Sequence, residues 1–103
     1  MNQKIINLTP HSINIIDKQI PPSGKVARVS VTSKEAGTFA GIPLKIPTFG
    51  DVVDLPDPEP NTMFIVSALV RSACPKRKDL ASPSDMVRDE DGRIIGCRAL
   101  DIN

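Results

Sequence analysis

The chain has no tryptophan and no tyrosine, and only three phenylalanines, Phe39, Phe49 and Phe64. The stacking surface that usually holds single-stranded nucleic acid is therefore not expected, and nucleic acid is not an expected partner. Histidine is nearly absent, with His11 standing alone. Cysteine is limited to Cys74 and Cys97, far apart and outside any C-x-x-C pair. A structural zinc needs a full tetrahedral set of such ligands. Three scattered candidates do not supply one, and no metal or cofactor is expected. Long apolar runs are missing too: nothing approaches the roughly 18–20 residues needed to cross a bilayer. The start, Met1-Asn2-Gln3-Lys4 before Ile5-Ile6, lacks a signal-peptide layout. These features lead us to expect a cytoplasmic protein with no membrane partner and no disulfide. Strong charge of one sign is also lacking, since the net charge is +1, so bulk attraction to DNA or membrane is not predicted.

What is present points to β structure. Ile and Val number 20 against 13 for Leu and Ala. β-branched side chains suit a pleated, half-buried surface. Ten prolines and six glycines break the 103 residues into short pieces. The length suits a single domain, 1–103. The expected fold class is α+β, predominantly β: a small sheet or partly open barrel of six or seven short strands with one short helix near 67–74.

Along the chain, residues 3–8 and 13–17 read as two strands of a hairpin around the turn Thr9-Pro10-His11-Ser12. Pro21-Pro22-Ser23-Gly24 breaks the chain. Residues 25–33 alternate as a strand, 35–41 read as irregular, and 42–49 as an edge or interrupted strand because of Pro43 and Pro47. The Pro-rich stretch 51–62 reads as an ordered acidic surface loop. Met63-Phe64-Ile65-Val66 is a four-residue apolar run, best suited to a buried central strand. Ser67 then caps a helix that stops before Pro75. Residues 76–85 read as a loop. A closing hairpin follows, turning at Asp91-Gly92.

Charge is segregated. Residues 1–50 carry +4, residues 51–62 carry −4 and residues 63–103 carry +1. Two segments thus have bases to contribute to a shared anion site. Ser67 at a helix start can donate to a phosphate, or can be a plain cap. The run Arg71…Lys76-Arg77-Lys78-Asp79 can hold an anion: Arg77 offers a bidentate fork and Asp79 can orient it. In that reading Arg77→Ala weakens binding and leaves the thermal midpoint of the ligand-free protein nearly unchanged, since a loop arginine holds up little structure. The same run also reads as a solvated loop with charges for solubility. Arg28 and Arg88 lie within apolar strand sequence, where an inward-facing arginine needs an acid or a ligand; the alternation equally suits a solvent-facing Arg28. His11 offers the only imidazole as a general acid or base, but no spacing demands a catalytic role. Asp89-Glu90-Asp91-Gly92 resembles half a calcium loop, yet the closing glutamate would fall on Leu100.

Taken together, Asn7-Leu8-Thr9-Pro10-His11, the Pro21-Pro22-Ser23-Gly24 turn before Ala27-Arg28, Ile65-Val66-Ser67-Ala68-Leu69-Val70, and Val87-Arg88-Asp89-Glu90-Asp91-Gly92-Arg93-Ile94-Ile95 resemble a family of small phage and prophage proteins. The resemblance covers most of the chain and carries over no catalytic residue. Its context implies an anti-defence role. The expected function is a sponge that sequesters a nucleotide-derived immune signal, a cyclic oligonucleotide or a cyclic ADP-ribose product, without turnover. Arg28, Arg71, Arg77 and Arg88 with Ser67 would supply donors, Asp79 and His11 further contacts, and Phe39 or Phe49 an apolar wall. Two alternatives stay open: an inhibitor that binds a host defence or nucleic-acid-processing protein, with the acidic loop as contact, and an enzyme that cleaves a nucleotide signal with His11 as acid or base. A homo-oligomer, in the form of a dimer, is expected because a small domain gains by burying its edge strands.

Overall fold

A computed structural model describes residues 3–103. They form eight strands and one helix: β1 (Lys4–Asn7), β2 (Ile13–Ile15), β3 (Lys18–Ile20), β4 (Arg28–Phe39), β5 (Ile42–Val53), β6 (Thr62–Ile65), α1 (Ala68–Ala73), β7 (Leu80–Arg88) and β8 (Ile94–Ile102). Six strands make one sheet in the order β1-β6-β7-β8-β2-β3. Contacts between β3 and β1 bring its edges together, so the sheet is nearly a closed barrel. β4 and β5 form a separate two-stranded ribbon. The β-rich α+β class holds, with eight strands rather than six or seven.

The apolar run at 63–66 lies at the centre. Phe64, Ile65 and Val66 are fully buried. β6 pairs in parallel with β1 on one side and β7 on the other. Leu8, Ala27, Phe64, Val66, Val70 and Leu80 make one contiguous cluster. α1 is the crossover between β6 and β7. Ser67 caps it as expected, its Oγ accepting from the Val70 N–H at 3.2 Å, and Cys74 ends it. Both cysteines are free thiols.

Several local readings need correction. The first two strands do not form a hairpin. β1 runs beside β6, where Ile6 packs against the central cluster. β2 turns instead into β3 through Ile16 and Asp17, with Ile16 in the left-handed region at φ 57°. Buried Asn7 redirects the chain: its Nδ2 donates to the carbonyls of His11 (2.8 Å) and Ile20 (3.0 Å), and its Oδ1 accepts from Thr9 N–H and Oγ. Residues 35–41 are not irregular but the far half of β4 and its turn. Register shifts between Val29 and Val31 and between Glu35 and Thr38 absorb the misfit. Residues 80–85, read as loop, begin β7, with Leu80, Ala81 and Ser82 buried. Pro83 is tolerated because β6 pairs only with Leu80 and Ala81, so its missing N–H breaks no bond there. The closing hairpin turns at Asp91-Gly92 as expected.

The ribbon gives the molecule its shape. Among its residues only Val29 and Val52 are even partly covered, and both pack on the cluster. The radius of gyration is 16.2 Å and the extents are 54 × 39 × 22 Å. A compact domain of this length would have a radius of about 13 Å. The β4–β5 arm therefore projects from the barrel. Among the described residues no helix is long and apolar enough to cross a membrane.

Candidate functional site

The turn after α1 is held from three directions. Arg77 donates Nε to Asp79 Oδ1 and Nη2 to Asp79 Oδ2, both at 2.8 Å, and Nη2 also reaches the Pro56 carbonyl at 3.0 Å. This bidentate grip holds the Asp79 carboxyl below the usual carboxylate range and raises Arg77 above its ordinary value. Asn103 sends its Nδ2 toward the carbonyls of Arg71, Cys74 and Arg77, at 3.0, 2.8 and 3.1 Å. Arg71 in turn donates Nε to Ser82 Oγ at 2.8 Å and Nη1 to Asn103 Oδ1 at 3.4 Å. The side chain closes a loop of bonds between helix, β7 and chain end.

Beside this clamp lies an open cleft of about 630 Å³. Lys4 reaches it from β1, Lys18 from β3 and Lys78 from the turn before β7, with Gln3, Thr62 and Asp79 also in its lining. The only salt bridge among the described residues joins Arg77 to Asp79. Among these residues the three lysines thus have no ion-pair partner, while the one carboxylate lining the cleft is already paired with Arg77. The lining carries three exposed lysines against that single paired carboxylate. Lysine suits this role as a point charge that accepts many anion geometries. Chemically the cleft can bind phosphate or carboxylate groups.

The residues singled out from sequence are not gathered in one place. Arg28 and Ser67 line a second cleft, of about 480 Å³, together with Pro10, Val26 and Leu69. No hydrogen bond or ion pair engages the Arg28 side chain among the described residues. Arg71, Arg77 and Arg88 are not part of that lining. Arg88 is spent on its own hairpin, its Nη1 donating to the Gly92 carbonyl at 2.8 Å. His11 is exposed, and its carbonyl, not its ring, serves the Asn7 network. Phe39 and Phe49 sit on the arm. Asp79 alone among them lines the lysine cleft, and Arg77 acts there by holding it. The view of Arg77 as a loop residue that holds up little structure does not survive, because it ties Asp79 to the Pro56 carbonyl.

No local sequence signal marks Lys4 or Lys18, and Lys78 stands out only as part of the basic run 76–78. Positions 4, 18 and 78 have no spacing in common, and only the near-closure of the sheet brings β3 back to β1. The +4 balance of residues 1–50 was the one available hint. Compared with family models, curated proteins and solved structures, the chain finds no match in any of the three.

Proposed function

We propose that this protein is a stoichiometric binder that sequesters a nucleotide-derived signal, with the ligand's phosphates held in the cleft of Lys4, Lys18 and Lys78. The observation that carries this reading is the set of three lysines that, among the described residues, have no ion-pair partner, in a lining whose one carboxylate is clamped by Arg77. Met63 and Ile5 in the same lining offer apolar surface to a base. The resemblance to small phage proteins supplies the setting: an anti-defence sponge acting in the bacterial cytoplasm. Capture needs only complementary charge and fit, and no nucleophile has to be placed.

The test is calorimetric titration of the whole protein with cyclic dinucleotides, cyclic ADP-ribose and ADP-ribose. Binding of at least one is expected, and it should weaken as salt rises because exposed charges are screened over about 8–10 Å. Lys18→Ala and Lys78→Ala should each weaken binding about 10-fold or more, as hydrogen bonds to charged groups contribute about 1.5–3 kcal/mol. Ligand recovered intact after denaturation supports sequestration. Ligand recovered in altered form makes the protein an enzyme instead. No heat with any nucleotide overturns the reading and favours capture of a host protein.

A further inference from the structure

The two free edges of the arm differ. Pro43 lies opposite Thr38 and Pro47 opposite Ser33. Proline has no N–H, so these pairs are of the non-hydrogen-bonded kind, in which N and C=O point away from the partner strand. The free edge of β5 therefore lacks a donor at residues 43 and 47. On β4 the same phase turns the N–H and C=O of Ser33 outward, and with it those of Val31 and Glu35. None of the three is proline, and no described strand lies beyond them. This is an open, hydrogen-bonding edge on a two-stranded ribbon, a form that is marginal in water without further strands.

We propose that the β4 edge pairs antiparallel with β4 of a second copy of this chain, with Ser33 on the two-fold axis. In this register Ser33 meets the partner's Ser33 and Val31 meets the partner's Glu35, and each pair exchanges both N–H···O=C bonds. Moving the axis to Lys34 would oppose two lysines. Moving it to Thr32 would set Lys34 opposite Ser30, inside the irregularity between Val29 and Val31. The register then sets what the arm tip meets. Phe39 lies six residues beyond Ser33, across the irregularity between Glu35 and Thr38, and Arg28 opens the strand five residues before it, so both spans are roughly 17–20 Å. Each tip thus arrives at the other copy's arm base. Phe39 and Ile42, 74% and 62% exposed, come to the cleft lined by Pro10, Val26 and Leu69. One contact joins two open edges and seats the apolar tip against the Pro10, Val26 and Leu69 side of a cleft that Arg28 and Ser67 also line, a self-complementary arrangement that closes as a dimer.

Sedimentation equilibrium of the full chain at micromolar to high micromolar concentration should show a monomer–dimer equilibrium. Ser33→Pro removes the outward donor without touching the β4–β5 ladder, and should yield a monomer with unchanged far-UV circular dichroism. Phe39→Ser, at an exposed tip, should weaken dimerisation at least 10-fold. Ser33→Cys should form an interchain bond between the two copies of position 33 on mild oxidation, identified by peptide mass spectrometry. A wild-type chain that stays monomeric, a dimer that survives Ser33→Pro, or failure of position 33 to cross-link would each overturn the proposal.

Discussion

At the scale of single residues, polar side chains do the fixing. Asn7 is 1% exposed and both ends of its amide are used. It converts a candidate hairpin into a strand that leaves for the far side of the sheet. Arg77 and Asp79 do the same for the turn before β7. Their pair carries a pH signature. Asp79 has its carboxyl lowered, chiefly by the hydrogen bond from Arg77. A lowered carboxyl contributes stability that is fully present above its unfolded value, about 3.9, and that is lost as pH falls through the folded value. Urea titrations between pH 7 and pH 2 should show this acid loss in the wild type and a shallower one in Asp79→Asn. Arg77→Ala should lower the thermal midpoint at pH 7, since it frees Asp79 and the Pro56 carbonyl. A flat pH response, identical in both proteins, would show that the pair does no stabilising work.

At the scale of elements, close approach decides where strands lie. β2 meets β8 through a parallel contact at Ile15 and Cys97, and Gly96 lies beside Asn14. A Cβ built on Gly96 would sit 3.0 Å from the Asn14 carbonyl oxygen and 3.3 Å from its Cβ. The neighbour is backbone, so it cannot swing away. Gly96→Ala should therefore destabilise the barrel, by about 1–3 kcal/mol as for other overpacked sites, measured by chemical denaturation. The glycines at turns behave differently. Gly92, at φ +82° with nothing within 4 Å of a built Cβ, is needed for conformation and not for space. The arm shows the third possibility, in which prolines sit in a long strand because their empty side faces the free edge.

At the scale of the whole molecule, barrel and arm are separable in energy. Every fully buried side chain lies outside β4 and β5, and the arm adds only Val29 and Val52 to the core. Replacing residues 32–48 by a two-residue Asn-Gly turn should leave the barrel folded, with the thermal midpoint of the monomer lowered by a few degrees at most (about 1 kcal/mol or less,). The same deletion should abolish self-association and leave nucleotide binding at the lysine cleft intact. A shortened chain that fails to fold would mean that the arm nucleates the barrel.

Local chemistry made several things legible in the sequence. The apolar run at 63–66, the serine that caps the helix, Pro75 beyond its end and Asp91-Gly92 in the last turn each act over a few residues, and each was found where it was expected. The excess of Ile and Val announced a β-rich domain. Tertiary structure alone decided which strands pair. Whether residues 4–7 turn back on β2 or cross to β6 depends on the burial available at Phe64 and on the bonds of Asn7, neither visible from strand propensity. It also decided which charges meet. Arg77 met Asp79 two residues away and became a support, while Lys4, Lys18 and Lys78 came together only through near-closure of the sheet. Pairing partners of a strand and neighbours of a charge are long-range quantities. The free energy that selects them is spread over the whole core, so no single stretch of sequence records it.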